Sequence, residues 1–333
     1  MPDVVVSQTR TELSYVQAVN EALRWGLAEY PEALFFGEDV ALPGGPYGAS
    51  KGLRQEFGER VFDTPISESA ILGAAVGAAM RGRRPIVEIM FADFFLVALD
   101  QLFNQAANVR YVSRGHFRCP ITVRSQQAAM PGACAQHSQS LEALFAHVPG
   151  LRLGLPATPR DAFEMLRAAI AGDDPAIVIE SRALYQTKDE VRTDGPVELL
   201  GGARTVRAGD DLTIVTWSRL VGEAEAAADA LAERGVYADL IDLRWLSPLD
   251  IDSVLESVRR TGKLLIAHEA NITGGFGAEI AARVASEAFW GLDAPIKRVA
   301  APDIRVPASP ALNAALLPSA ETILSAAERL AHV

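Results

Sequence analysis

Three short stretches carry side chains suited to chemistry. In the first, Thr-Pro-Ile-Ser-Glu at 64–68 runs into Ser-Ala-Ile-Leu-Gly-Ala-Ala-Val-Gly-Ala-Ala-Met at 69–80. The pattern predicts a helix with Ser67 as N-cap and one carboxylate, Glu68, at its mouth, where the helix dipole favours negative charge. A carboxylate there can hold or pass a proton, or it can do no more than complement the dipole of a buried helix. In the second stretch, Phe91-Ala92-Asp93-Phe94-Phe95 sits where a strand passes into a helix, the end of an open α/β sheet at which ligands bind; the same cluster would also serve as core packing. In the third, Ala135-Gln136-His137-Ser138-Gln139-Ser140, His137 is placed for proton transfer or, equally, as the neighbour of a helix cap.

Other chemistries find less support. Ser138 and Ser140 lie in no Gly-x-Ser-x-Gly elbow, and no acid-His-Ser order is visible. There is no Gly-x-x-x-x-Gly-Lys-Ser/Thr loop, and the Gly274-Gly275-Phe276-Gly277 turn lacks the dinucleotide pattern. A diphosphate ligand would need another chain to hold its phosphates and metal. Only Cys119 and Cys134 are present, without metal-ligand spacing, so both are expected as free thiols. With 31 Lys and Arg against 42 Asp and Glu, the formal charge of -11 argues against nucleic acid or an anionic membrane as partner. The N-terminus lacks a signal-peptide pattern and no apolar run reaches ~18 residues, so a cytoplasmic protein is expected.

The elements that must position these residues alternate. Strands are expected at 34–37, 85–91, 120–124, 151–155 and 176–180, and helices at 12–30, 51–57, 69–81, 93–112, 138–147 and 159–171. Gly73, Ala74, Gly77 and Ala78 give the 69–81 helix a flat face for a closely packed neighbour, since each Gly costs a helix about 1 kcal/mol relative to Ala. The polar, turn-rich segment 181–196 marks a boundary. Beyond it, strands at 211–217, 238–243, 263–268 and 295–299 alternate with helices at 219–234, 250–260 and 276–290. The fold class is α/β, with two doubly wound domains of 1–185 and 186–333.

Across nearly its whole length the chain resembles the β subunits of thiamine diphosphate-dependent 2-oxo acid dehydrogenases, a transketolase-like family. The resemblance rests on Gly37-Glu38-Asp39-Val40, Arg-Val-Phe-Asp-Thr-Pro-Ile-Ser-Glu at 60–68, Gly73-Ala74-Ala75-Val76-Gly77, Asp93-Phe94 with Asp100-Gln101, and Gln-His-Ser-Gln-Ser-Leu-Glu at 136–142. His147-Val148-Pro149-Gly150-Leu151, His268-Glu269-Ala270 and 273–277 extend it. Glu88-Ile89-Met90-Phe91 and Asn104-Gln105-Ala106-Ala107 point to the pyruvate and acetoin branch.

The resemblance implies a first domain that binds the aminopyrimidine of thiamine diphosphate and a second of the transketolase C-terminal type. It implies an α subunit, in an α₂β₂ heterotetramer, that holds the diphosphate through Mg²⁺. Glu68 matches the glutamate that hydrogen-bonds a pyrimidine ring nitrogen. Phe94 matches the ring that lies against the pyrimidine, Ile66 and Met90 line the same pocket, and His137 matches the histidine facing the substrate. The implied activity is oxidative decarboxylation of a 2-oxo acid, with acyl transfer to lipoamide on a lipoyl acyltransferase component. A structural K⁺ is implied near Ile121, Ala169, Gly172 and Asp174, although Gly172 and Asp174 replace the usual Asp and Asn.

Two stretches depart from the family pattern. Ser-Gln-Gln-Ala-Ala-Met-Pro-Gly-Ala-Cys at 125–134 stands where relatives carry a Gly-rich loop, and Pro302-Asp303-Ile304-Arg305-Val306-Pro307 replaces the usual ending. The first suggests an altered acceptor channel and motivates a rival: a split thiamine diphosphate enzyme passing its acyl or aldehyde unit to a non-lipoyl acceptor. A non-catalytic scaffold subunit is the other rival, and retention of Glu68 and His137 weighs against it.

Overall fold

The computed structural model describes residues 10–127, 129–130 and 132–333. Residues 1–9, on which the expectation about a signal peptide falls, and two positions of the 125–134 stretch lie outside them. The chain opens with strand β1 (Arg10–Ser14) and helix α1 (Tyr15–Glu29). Ser14 caps α1 in a capping box with Gln17, which ends the predicted helix later at its N-terminus than periodicity alone suggests. Next come β2 (Ala33–Gly37), α2 (Leu53–Phe57), β3 (Val61–Asp63), α3 (Glu68–Met80) and β4 (Arg84–Ile89). They are followed by α4 (Val109–Val112), β5 (Thr122–Gln127), α5 (Glu142–Ala146), β6 (Arg152–Gly154), α6 (Pro159–Ala171), β7 (Ala176–Ser181) and β8 (Lys188–Arg192).

The second half adds β9 (Arg204–Arg207), β10 (Leu212–Thr216), α7 (Leu220–Ala232), β11 (Ala238–Asp242), β12 (Trp245–Ser247) and α8 (Ile251–Thr261). It ends with β13 (Leu264–Asn271), α9 (Gly277–Glu287), β14 (Lys297–Ala301), α10 (Pro310–Leu316) and α11 (Ala320–Ala331).

The first sheet has the order β12-β6-β7-β5-β4-β2-β3, and the second β14-β13-β10-β11-β9. Strands β2 to β7 run parallel, as do β10, β11, β13 and β14. Helices cover both faces, as parallel sheets require, because the buried strands have no polar face to give to water. Helix α6 shows the local logic. Thr158 caps it through the Asp161 amide and Pro159 opens it, while Ala162, Phe163, Leu166, Ala169 and Ile170 fall on its buried side. Gly26 of α1 admits Ile170, whose side chain would stand 2.9 Å from a Cβ there.

Two short pairings carry structure that periodicity does not signal. Strand β8 folds back onto β1 as an antiparallel ribbon. Strand β12, from the second half, adds antiparallel to β6 and extends the first sheet. Its anchor is the fully buried Trp245, seated over Gly154, where a Cβ would meet the indole at 2.9 Å. One apolar cluster runs from Phe95, Phe145 and Leu151 of the first half to Trp217, Leu246 and Phe276 of the second, so burial is shared across the junction.

Two expected helices are corrected. The segment 93–112 is a succession of short tight and wide turns ending in α4. Side chains there compete with the helical ladder: Asn108 Nδ2 donates to the carbonyls of Phe103 (3.2 Å) and Asn104 (3.1 Å), and Ser69 Oγ donates to the carbonyl of Val97. The helix expected at 138–147 is confined to α5, because the Gln139 amide and side chain both turn to Asp93.

Candidate active site

In the order β7-β5-β4-β2-β3, five neighbouring strands deliver their carboxyl ends to one edge of the first sheet. The residues that follow them are Arg182, the loop bearing His137, Phe91 with Phe94, Glu38, and Glu68. That edge is where open parallel sheets bind ligands.

Glu68 is the first residue of α3, and it is buried. Ser67 precedes it with non-helical backbone angles but makes no side-chain cap, so the expected N-cap bond is absent. Beside Glu68 lies Glu38, also buried, which motif reading quoted but did not place in the site. Its loop is held on both sides. Gly37 leaves room for β4, since a Cβ would lie 2.7 Å from the Glu88 carbonyl oxygen. The Asp63 carboxylate accepts the amides of Ala41 (2.6 Å) and Leu42 (3.2 Å). Burial, then the charge of Glu68, pushes the Glu38 carboxyl up to about 7, with Asp39, a hydrogen bond to Glu68 and the more distant Glu88 adding to the effect. Glu38 Oε1 is buried without a hydrogen-bond partner among the described residues, so the pair has acceptor capacity left for a ligand.

Behind this pair, Arg124 is fully buried between two carboxylates. Its Nε and Nη2 donate to Glu180 at 2.8 and 2.7 Å, and its Nη1 donates to Glu88. Tyr185 donates to Glu180 at 2.5 Å, and Gln126 donates to Glu88 at 3.2 Å. Burial outweighs the Arg124 charge and moves the Glu88 carboxyl upward.

The aromatic part of the site is formed in contact. The His137 imidazole meets Phe91 edge to face with ring centres 4.8 Å apart, and Phe94 at 5.6 Å. Arg182 is buried beneath them. Asp93 accepts from the amide (3.3 Å) and side chain (2.9 Å) of Gln139, fixing the His137 loop from the other side, and Arg305 of the second half donates to Gln139 at 2.8 Å. Phe94 and Met90 are half-buried, whereas Ile66 is 82% exposed. Glu68 with Glu38, and His137 with Phe91 and Phe94, are thus two clusters along one sheet edge. Glu38 could have been found from its Gly-Glu-Asp turn at a strand end. Arg182 carries no local signal, since only the sheet order brings it to His137.

The four positions expected around a K⁺ gather at the turn between α6 and β7, amid arginines. Arg84 donates to the carbonyls of Ile170 (2.8 Å) and Gly172 (2.6 Å). Asp174 pairs with Arg110 at 2.5 Å and Arg152 at 3.7 Å, and the Ile121 carbonyl accepts the Ala176 amide. Guanidinium groups thus already supply positive charge here. Among the described residues, no three His, Cys, Asp or Glu gather as a metal site. No helix among them is long and apolar enough to cross a membrane. Cys119 and Cys134 are free.

Comparison with known proteins agrees with this architecture. Residues 11–188 match the transketolase pyrimidine-binding domain, and residues 201–323 the transketolase C-terminal domain. A split-gene transketolase, described as an inactive β4 tetramer, superposes with a TM-score of 0.79 over 96% of this chain and 98% of its own, at 22% identity, and so shares the fold. The chain is 43% identical over 328 residues to the acetoin:2,6-dichlorophenolindophenol oxidoreductase subunit beta of Cupriavidus necator, covering 96% of this chain and 97% of that one. It is 39% identical over 323 residues to the 2-oxoisovalerate dehydrogenase subunit beta of Bacillus subtilis, covering 96% and 99%. It is 42% identical over 319 residues to the pyruvate dehydrogenase E1 component subunit beta of Leifsonia xyli, covering 95% and 94%. The fold is thus that of a transketolase-like protein. More narrowly, the chain belongs to the family of β subunits of thiamine diphosphate-dependent 2-oxo acid dehydrogenases.

Proposed function

We propose that this chain is the β subunit of an enzyme that oxidatively decarboxylates a 2-oxo acid, of the acetoin or pyruvate branch, and works only with an α subunit in an α₂β₂ assembly. The observation that carries the reading is the buried Glu38 and Glu68 pair at the carboxyl edge of the first sheet, with an acceptor oxygen unpartnered among the described residues and the aromatic cluster of His137, Phe91 and Phe94 along the same edge. The donor set fits an aminopyrimidine, which offers ring and exocyclic nitrogens and a flat face. Bound thiamine diphosphate supplies the electron sink that accepts the pair left when CO₂ departs.

The remaining work belongs to the chain's own residues. Glu68 presents a carboxylate to a pyrimidine ring nitrogen, and Glu38, protonated near neutrality, donates to Glu68 so that the pair carries one negative charge. Phe94 packs against the ring, and Met90 and the exposed Ile66 close the pocket against the partner. His137 faces the substrate and moves a proton or assists transfer of the acyl unit. The sequence has no phosphate loop, so the diphosphate and its Mg²⁺ are assigned to the α subunit. The outward face of α3, with Ala74 and Gly77 exposed, is suited to close packing against that subunit.

Transfer to lipoamide is the first reading for the acyl unit, and a lipoyl acyltransferase the corresponding partner. Transfer to another acceptor is favoured by a contact between the two departing stretches: the 302–308 segment reaches the altered loop, with the Gly132 amide donating to the Ala308 carbonyl at 3.1 Å, and Arg305 is held on Gln139. The test is co-expression with an α-type partner, addition of thiamine diphosphate and Mg²⁺, and turnover of a 2-oxo acid panel with an artificial acceptor and with a lipoylated domain. Glu68→Gln should lower turnover by about 10²- to 10⁴-fold while leaving the circular dichroism of the chain unchanged. Near-normal turnover in that variant would sink the reading, and turnover with the artificial acceptor alone would favour the non-lipoyl alternative.

A further inference from the structure

We infer that Arg182 is the positioning residue of His137, an inference that rests on the reading of His137 as the substrate-facing histidine. Arg182 follows β7, and only 5% of it is exposed. Its Nη2 donates to the His137 main-chain carbonyl. Its Cζ lies 4.8 Å from the centre of the Phe91 ring, and the same ring meets the His137 imidazole. One planar guanidinium therefore holds the backbone of the histidine with its edge and the histidine's ring neighbour with its face. A compact ammonium cannot match both contacts, because it has neither the fork nor the stacking face.

The position of this contact gives it its effect. His137 sits between β5 and α5 in a stretch without regular structure, so no helical or sheet ladder fixes its angles. Two side-chain pins hold it instead, one at His137 and one two residues on. Asp93 takes the amide and side chain of Gln139, two residues on, and Arg182 takes the carbonyl of His137 itself. Burying a guanidinium carries a desolvation cost of several kcal/mol that good hydrogen-bond geometry must offset. Here that charge lies one ring away from the candidate proton-transfer group. Without Arg182 the imidazole keeps its Phe94 contact but loses the anchor of its own backbone, and a reactive group displaced by about 1 Å costs up to 10²-fold in rate.

The test uses the full chain labelled at its histidine rings. There are five histidines, and His137→Gln assigns the one of interest. In the wild type, the ring currents of Phe91 and Phe94 displace the His137 resonances from those of the exposed His116, His147 and His332. In Arg182→Met, the His137 signal should move toward those three while that of His268, stacked on Trp217 in the second half, stays in place. Arg182→Gln, which keeps a donor for the carbonyl but loses the ring face, should give an intermediate signal. In the assembled holoenzyme, kcat should fall roughly ten- to hundredfold in Arg182→Met and less in Arg182→Gln, with KM and cofactor affinity unchanged. A His137 signal and kcat left at wild-type values in Arg182→Met would overturn the inference; if that variant does not fold, the same result in Arg182→Gln would do so. Wild-type kcat in His137→Gln would instead remove the role given to His137, with the ring-current displacement still reporting whether Arg182 holds it.

Discussion

The two sheets of this protein end differently at the same topological edge. Both are parallel at their centres. At the first sheet that edge carries buried charge, with Glu38, Glu68, Glu88, Arg124, Glu180 and Arg182 all less than a tenth exposed, and a carboxylate oxygen there lacks a partner. At the second sheet the edge is filled by the protein itself. Trp217, following β10, stacks on His268 of β13 with ring centres 5.5 Å apart and donates its indole N–H to the buried Glu142 of the first half at 3.3 Å. Gly275 and Gly277 press against the same imidazole, so close that a Cβ on either would lie 2.5 Å from it. One crevice is lined by buried charge, and the other is closed by aromatic packing that reaches across to the first half. Among the described residues, unpartnered polar atoms occur at both edges, Glu38 Oε1 at the first and the His268 ring nitrogens at the second, so what sets the first edge apart is its cluster of buried charge.

The largest effect is expected at Arg124. If charge at the first sheet is balanced rather than incidental, Arg124→Met leaves Glu88 and Glu180 buried without a counter-ion, and the chain should lose about 3–5 kcal/mol. Urea denaturation at neutral pH reads this directly. A loss below about 1 kcal/mol would mean that the carboxylates simply take up protons and that the network is not integral to the edge.

The filled crevice makes the next prediction, in acid. Burial, and then the Arg298 charge, holds the His268 imidazole down to about 4, so it stays neutral in the folded state where an unfolded chain would protonate it. The unfolded state thus binds more protons between about 6.5 and 4, and stability falls as pH falls through that window. The loss should be roughly 3 kcal/mol by pH 4, at about 1.4 kcal/mol per pH unit. His268→Phe keeps the stack on Trp217 without the titrating ring, and its unfolding midpoint should be less sensitive to acid than that of the wild type. Parallel pH dependence in the two proteins would show that the plug is not what acid attacks.

The same contrast separates what could be seen in the sequence from what could not. The buried strands β4, β5 and β7 and the helices α3 and α6 stood out because their periodicity or apolar runs report their own burial. Strand β12 did not, since three residues joining a distant sheet leave no repeat to detect, and its Trp245 explains itself only beside Gly154. The irregular 93–112 stretch has helical spacing in Phe95, Ala98, Leu102 and Ala106, all buried, but side-chain bonds from Asn108 and Ser69 compete for its carbonyls. At the site, Glu68 and His137 lie in motifs long enough to be recognised. Glu38 gains its meaning from proximity to Glu68, and Arg182 from sheet order, and neither relation is written in spacing along the chain.

The smallest effect concerns how the open crevice is held ready. Glu38 keeps its proton up to about pH 7 because burial and the neighbouring Glu68 charge oppose ionisation. The folded state therefore binds the proton more tightly than the unfolded chain, whose glutamate titrates near 4.5. This contribution to stability is complete below about 4.5 and is lost as pH rises through 7. Glu38→Gln replaces the neutral acid by a neutral amide of the same shape. Its unfolding free energy should match the wild type at pH 4.5 and exceed it at pH 8 by no more than about 1 kcal/mol once solvent screening at the open mouth is allowed for. Turnover in the holoenzyme should fall, because the amide can donate to Glu68 but cannot exchange a proton with it. A gain in stability with a loss of turnover is what an electrostatically strained site residue produces. Losing both together would place Glu38 with the structural carboxylates behind it.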